Sequence, residues 1–451
     1  MRLDGHCDHR PSWSDDTVKE SGLSSAARGN DATTSGPTDA LLTDGHMRQS
    51  LAAARALGRS GLKVAVAETT EACDARLRVP AFSSRWASWH TTLPEFRRDP
   101  DGYARALLDV VHQHPTRLLI PSSDGSIAAL RAWRTRFERQ GVALALASES
   151  ALEVANDKQR TLEVAAMLGV HGPRTVPALD LADVPSVLQE IGYPAVIKPT
   201  HSWVRHDGTG TQVRSQEVLD EKEGLLFAEH LSELGSAAIV QEWVGGSRES
   251  VSLLYADGRI WAEFAQVAHR MAPVLGGVSV VRESIPMPDD LRSAAVALVR
   301  ALDLEGYSEI EFRRDARGRP LLMEINARLS GSIEVAICSG VDFPGLLWRW
   351  ALGEKLTAAG NYRTGVRMRW LHGDIQWLME NLFERGRPDS VSALRASAMF
   401  AGEFLSRAIY DDLDLDDLRP SLVALVWDIA KARQQFSNWL RRANSDPSPV
   451  A

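Results

Sequence analysis

The sequence predicts a mixed α/β (α+β) protein, with a parallel sheet towards the amino end, antiparallel hairpins in the middle and helices at the carboxyl end. Three observations predict it. Residues 46–150 alternate helical and strand-like stretches, the pattern of a parallel sheet wrapped by helices. Residues 238–326 hold two strand–turn–strand units. Residues 356–451 hold three stretches with helical spacing. The divisions expected are a disordered tail over 1–45, an α/β domain over 46–150, a chemistry-bearing domain over 151–353 and a largely helical region over 354–451.

The tail is rich in Ser, Thr, Gly, Asp and Asn and poor in large aliphatics, so it cannot bury enough apolar surface to fold. Asp4, His6, Cys7 and His9 stand together within it, and chance histidines in a loose terminus explain them better than a metal site. In the α/β domain "MRQSLAAARALGRSG" has helical spacing and a stop at Gly61. "LKVAVAE" is a buried strand, "DGYARALLDVVHQH" a helix, "RLLIPSSDG" a strand and its loop, "SIAALRAWRTRFERQG" a helix and "VALALAS" a strand. Ligands of parallel sheets sit beyond the carboxyl ends of the strands. Asp124, in "PSSDG", is therefore either a substrate contact or a turn former. Near the other end, "DIQWLMENLFERG", "SVSALRASAMFAGEFLSRAIY" and "SLVALVWDIAKARQQFSNWLRR" read as helices. The last carries an apolar stripe ending at Arg441 and Arg442, which suits packing on the main body better than a membrane surface.

The 451-residue chain has a net charge of −8 and no sustained basic block, which argues against nucleic acid as its main partner. Its three cysteines, Cys7, Cys73 and Cys338, lie far apart without metal or redox spacing, as expected of a reduced cytoplasmic protein. The start has no apolar signal segment, and no run is long enough to span a membrane.

The middle of the chain carries the chemistry. In "NDKQRTLEVAAMLG", Asn156 or Asp157 can cap a helix whose first turn holds Lys158, an unfavourable place for a cation unless an anion lies nearby. "PAVIKP" is a strand ending in Lys198, followed by a polar loop with Gly208 and Gly210. A strand-end lysine facing a glycine-bearing loop suits phosphate, although an ordinary hairpin with a surface lysine has the same pattern. "AAIVQEWV" is a strand broken by "GGSR", and the freed N–H and C=O groups at such a break are what an adenine edge needs. Glu249, six residues after Trp243, could bind ribose hydroxyls. "SEIEFRRD" and "PLLMEINAR" are strands joined by the turn "ARGR", so Glu311 and Glu324 meet on one face with Asn326. Two buried carboxylates repel, and a cation between them relieves this. Oxygen ligands suit Mg²⁺, and Arg328 is placed to hold an anion beside it.

Lys158, Lys198, "QEWVGGSRE", Glu311 with Phe312, and "MEINAR" stand in an order and spacing that resembles the ATP-grasp superfamily, over roughly residues 50–350. More narrowly the chain resembles predicted ATP-dependent carboligases and amino-acid (carboxylate–amine) ligases, a group that includes D-aspartate ligase. The resemblance implies an ATP-grasp fold preceded by an α/β domain. It implies that Lys158 and Lys198 bind the phosphates of ATP, that Gln241 and the backbone of Glu242, Trp243 and Val244 hold adenine, and that Glu249 holds ribose. It further implies that Glu311, Glu324 and Asn326 bind Mg²⁺ or Mn²⁺ and that Arg328, with Lys198, serves catalysis. The chain departs from the family's pattern in its long loop after Lys198, in Gln241 where glutamate is common, and in Ala327 where proline is common. The activity implied is an ATP-dependent ligase that joins a small carboxylic acid to an amine through an acyl phosphate, with a homodimer as a compatible assembly. The alternatives are a carboxylase that activates bicarbonate as carboxyphosphate and a non-catalytic nucleotide-binding module.

Overall fold

Short apolar runs alternating with helices leave the strands no choice but to pair in parallel, and the first third of the chain does so. The computed structural model describes residues 37–426 apart from 75–78, 179, 207, 275 and 384–386. Strands β1 (Thr38–Leu42), β2 (Val64–Thr69), β3 (Ala87–Leu93), β4 (Thr116–Ile120) and β5 (Ala143–Leu144) form a parallel sheet in the order β3-β2-β1-β4-β5. The tail expected over 1–45 is corrected at its end, because Thr38–Leu42 is the central strand of this sheet. Asp4, His6, Cys7 and His9 lie outside the described residues. The stretch "SIAALRAWRTRFERQG" forms two helices, Asp124–Arg131 and Arg134–Arg139, instead of one.

Two antiparallel sheets follow. Strands β6 (Thr175–Ala178), β7 (Ala195–Pro199), β10 (Gln216–Val218) and β11 (Ala238–Glu242) lie in the order β10-β7-β11-β6. Between them in sequence, β8 (Trp203–His206) and β9 (Thr209–Gln212) form a separate hairpin. Ala195, Ile197, Ala238 and Val240 point to one face of the small sheet and pack with Leu188 and Leu231 of its two covering helices. The larger sheet has seven strands: β12 (Arg248–Ala256), β13 (Arg259–Ala272), β14 (Val278–Ser284), β15 (Gly306–Arg314), β16 (Pro320–Asn326), β17 (Arg367–Arg369) and β18 (Ile409–Tyr410), in the order β16-β15-β12-β13-β14-β17-β18.

Alternation along β12 decides where the site lies. Val251 and Leu253 join the core beneath helix Asp289–Ala301, with Ile310, Phe312, Leu291 and Leu298. On the other face, Leu254 and Ala256 join a second core with Phe264, Ile333 and Phe343. That second face turns polar towards the start of the strand, with Ser252, Ser250 and Arg248.

The carboxyl-terminal region is held to the body by buried ion pairs. Arg270 and Arg369 both reach Asp374, at 2.6 and 2.7 Å, and Arg55 reaches Asp417 at 3.0 Å. Helices Leu371–Phe383 and Ala393–Gly402 match expectation, but the second stretch then ends in β18. Only residues 421–426 of the apolar-striped stretch are among the described residues; there Leu422, Leu425 and Val426 are 62, 46 and 65% exposed and Ala424 is buried. Arg441, Arg442 and everything past Val426 lie outside the described residues. Among the described residues no helix is long and apolar enough to cross a membrane.

Candidate active site

Strand register brings the predicted acidic residues together. Glu311 of β15 stands opposite Ser250 of β12 and Glu324 of β16, and Glu309 stands opposite Ser252 and Asn326. The pairing slips by one residue after Glu311, so Met323 is an extra residue in β16 and both carboxylates still share the polar face. The Asn326 amide nitrogen lies 3.2 Å from Glu311 Oε1 and 3.3 Å from Glu324 Oε1, and the Arg248 guanidinium donates to Glu311. Burial, working against Arg248 and with the repulsion of Glu324 and Glu309, lifts the Glu311 carboxyl to about 7. Burial would lift Glu324 too, but Lys158, Arg248 and Lys198 outweigh it and hold that carboxyl below its ordinary value. The pair thus divides into one firm anion and one proton-sharing group.

The two lysines come from the opposite side of the cleft. Lys198 of β7 pairs with Ile239 of β11, on the face turned away from the helical core of the small sheet. Burial lowers its ammonium to about 8, opposed by attraction to Glu324, so the lysine looks across at the carboxylates. Asp157, not Asn156, caps the helix Lys158–Met167, accepting from the N–H groups of Gln159 and Arg160. Lys158 Nζ donates to Ser202 Oγ at 2.7 Å, and the anions expected near it are Glu324, Asp124 and Asp157.

Arg328 and Asp124, picked out separately in the sequence, form one unit. Arg328 Nε donates to Asp124 Oδ1 at 2.7 Å and its terminal nitrogen to Asn326 Oδ1 at 3.4 Å. Burial would raise the Asp124 carboxyl, but Arg328 pulls it below the usual range. Asp124 is thus neither a bare turn former nor a free substrate contact; it aims the guanidinium.

Three expectations change. Glu242 does not offer its N–H to a ligand, because that group donates to the Arg174 carbonyl at 2.9 Å. Trp243 and Val244 make no backbone N–H bond among the described residues, and the Trp243 ring N–H is a buried donor without a partner there. Gln241 is buried and donates to Thr175 Oγ1 at 2.8 Å. Glu249 stands opposite Phe312, on the sheet face away from Glu311, and accepts from Arg314 Nε at 2.9 Å. The ribose assignment is therefore corrected. Glu249→Ala is expected to lower the melting temperature by stranding Arg314 while the KM for ATP stays within about twofold of wild type. Kinetics and thermal melting on the same preparation check this.

The loop after Lys198 is a hairpin rather than an open phosphate loop. Trp203 lies 5.3 Å from Phe96, ring to ring, and Gly210 N–H donates to the Arg97 carbonyl. A Cβ at Gly210 would come within 2.2 Å of the Trp203 ring, so this glycine serves the tryptophan rather than a phosphate. Glu309 and Arg248 were missed in the sequence. Glu309, which accepts from Gln266 Nε2 at 2.9 Å and Ser250 Oγ at 3.1 Å, was legible from its alternation with Glu311 in "SEIEF".

Among the described residues no group of three or more His, Cys, Asp or Glu is placed to hold a metal. The site offers two carboxylates and an amide, a set that fits Mg²⁺ or Mn²⁺ when a substrate's phosphate oxygens complete the shell. A family described as "ATP-grasp in the biosynthetic pathway with Ter operon" matches residues 236–373, which hold the hinge, Glu309, Glu311 and Glu324. Over those residues the chain matches an ATP-grasp family.

Proteins of several activities are similar to this chain. The D-alanine–D-alanine ligase of Ectopseudomonas mendocina is 24% identical over 186 residues, 38% of this chain and 55% of that one. The carbamoyl phosphate synthase large chain of Methanoculleus marisnigri is 26% identical over 225 residues, 47% of this chain and 20% of that one. The chain thus spans between a fifth and just over half of these curated relatives. Among solved structures, the biotin carboxylase domain of Hydrogenobacter thermophilus 2-oxoglutarate carboxylase superposes with a TM-score of 0.57 at 16% identity, over 74% of each chain. The L-amino acid ligase of Bacillus licheniformis gives 0.52 at 18% identity, over 70% of this chain and 75% of that one.

Proposed function

We propose that this chain is an ATP-dependent ligase that joins a small carboxylic acid to an amine. What carries the reading is the opposition across one cleft of Lys158 and Lys198 to Glu311, Glu324 and Asn326, with the Arg328–Asp124 pair alongside. The lysines hold the phosphates of ATP. Gln241 and the hinge at Trp243 and Val244 flank the adenine. Glu311, Glu324 and Asn326 hold Mg²⁺, which when bound offsets the phosphate charge. Arg328, aimed by Asp124, presents a planar fork to the oxygens of the transferring phosphoryl group.

An oxygen of the acid's carboxylate attacks the γ-phosphorus, ADP leaves, and an acyl phosphate remains. The amine nitrogen then attacks the acyl carbon and phosphate departs. The chain's residues position reactants and stabilise charge, and no protein nucleophile takes part.

Two relatives named as ligases, of D-alanine and of L-amino acids, support this reading. The likeness to a biotin carboxylase domain favours a second, in which bicarbonate is activated as carboxyphosphate. Glu311, Glu324 and Asn326 are all in place, which speaks against a non-catalytic module. Phosphate release is to be screened with the standard amino acids singly and in pairs, and with bicarbonate alone. Release that needs an amino acid pair is expected. Bicarbonate-dependent release without an amino acid would replace the first reading by the second, and no release under any condition would sink both.

A further inference from the structure

The parallel sheet changes direction at β1, with β2 on one side and β4 on the other. Connections leaving β1 and β4 therefore part beyond their carboxyl ends and leave a crevice, the usual ligand position in such sheets. Asp44 ties the two loops together there. It is buried and accepts from Ser123 Oγ at 2.9 Å and Ser126 Oγ at 2.7 Å. Two residues beyond Asp44 is His46; next to Ser123 is Asp124, which aims Arg328.

His46 is held in one way. The Glu68 carboxylate, its side chain 1% exposed, accepts the His46 backbone N–H at 2.8 Å and lies 2.6 Å from Nδ1. Glu68 also accepts the Thr69 N–H at 2.7 Å, so the carboxylate is fixed from a second direction. In the neutral ring Nδ1 then carries the proton and Nε2 carries the lone pair. The His46 side chain is 46% exposed. Burial lowers its basicity, but Glu68 and Asp44 outweigh burial, with Arg97 opposing, and the imidazole ends above its ordinary pKa. A half-exposed imidazole whose tautomer is set by a buried carboxylate is the arrangement of a general base.

The amine substrate of the reaction above arrives as an ammonium ion, which has no lone pair to attack with. We propose that His46 accepts a proton from the ammonium of an amino-acid substrate, and that Glu68 is the positioning residue that sets its tautomer. This rests on the ligase reading. Nε2 takes one proton and the freed nitrogen lone pair attacks the acyl carbon. The C–N bond forms, the bond from acyl carbon to phosphate oxygen breaks, and the second N–H proton leaves with the phosphate. His46 then returns its proton to solvent.

The test uses the full chain with Mg²⁺, ATP and an equimolar mixture of the twenty standard amino acids. Hydroxylamine is uncharged at neutral pH and intercepts acyl phosphates without a base, so hydroxamate reports the first half-reaction. Dipeptide, read by mass spectrometry without hydroxylamine, reports both halves. His46→Gln is expected to keep hydroxamate within about twofold of wild type and to lose about a hundredfold or more of dipeptide. Glu68→Gln should move the acid limb of dipeptide formation to lower pH, because Glu68 is what raises His46. Equal loss of both products in His46→Gln, dipeptide formation left intact, or an unmoved acid limb would overturn the proposal. Wild-type hydroxamate without dipeptide would overturn it alone, while absence of hydroxamate from wild type would remove the acyl-phosphate reading beneath it.

Discussion

Glu324→Gln should cut ADP formation about a hundredfold or more while the fold survives, and raised magnesium should restore part of the loss. The size is that of removing one preorganised charge-stabilising group. Glu324 is the firm anion of the buried pair, kept ionised by Lys158, Arg248 and Lys198. The glutamine keeps its shape and its place opposite Glu311. Glu311 then loses the repulsion that helps lift it to about 7, so it ionises more completely beside Arg248 and the sheet is not strained. The lysines fare differently. Lys198, lowered to about 8 by burial, loses the carboxylate that most favours its proton and becomes neutral at lower pH. The alkaline limb of the rate profile should therefore move to lower pH in the variant. The metal loss answers to mass action, so magnesium rescues it; the lysine loss does not, so rescue stays partial. ADP formation across a magnesium titration at several pH values measures both, and a variant that turns over at the wild-type rate would remove the metal assignment.

Parts of this site were legible because period-two alternation needs only short stretches of sequence. "SEIEF" and "MEIN", joined by a tight turn, had to put their acidic residues on a common face, and the slip at Met323 did not spoil that. Glu249 was placed only by its spacing, six residues after Trp243, and such a count does not fix a strand face. A break such as "GGSR", with Gly246 at a φ of +94°, resets the phase of the strand, and an offset of one residue exchanges the two faces. The Asp124–Arg328 pair joins residues 204 apart in the chain, and no local pattern links them. Gly210 looked like a phosphate-loop glycine until the Trp203 ring was seen to occupy the space of its Cβ. The anchoring of the carboxyl-terminal region was hidden for a similar reason: buried arginines such as Arg55 and Arg282 read in sequence as surface residues.

A chain begun at residue 46 should not fold. The composition of residues 1–45 suggests a dispensable tail, but Thr38–Leu42 lies at the middle of its sheet, and Ala40, Leu41 and Leu42 are 0% exposed. On one side they pair with Val64, Ala65 and Val66, and on the other with Leu118, Leu119 and Ile120. Without β1 the inner edges of β2 and β4 face a void in the core, and each backbone group left buried and unpaired costs about 1–3 kcal/mol. A handful of such groups, with the lost apolar burial, matches the whole net stability of about 5–15 kcal/mol typical of a folded domain. The deletion also removes Asp44, which ties β1 to the start of the helix that aims Arg328. Leu41→Asp in the full chain tests the same point without shortening it, since it places an unpaired charge between two buried neighbours. Thermal melting followed by circular dichroism should show no cooperative transition for the shortened chain and a large loss for Leu41→Asp. A shortened chain that melted cooperatively within a few degrees of the full one would show that β1 is not structural, and the parallel sheet would have to be redrawn with β2 and β4 as neighbours.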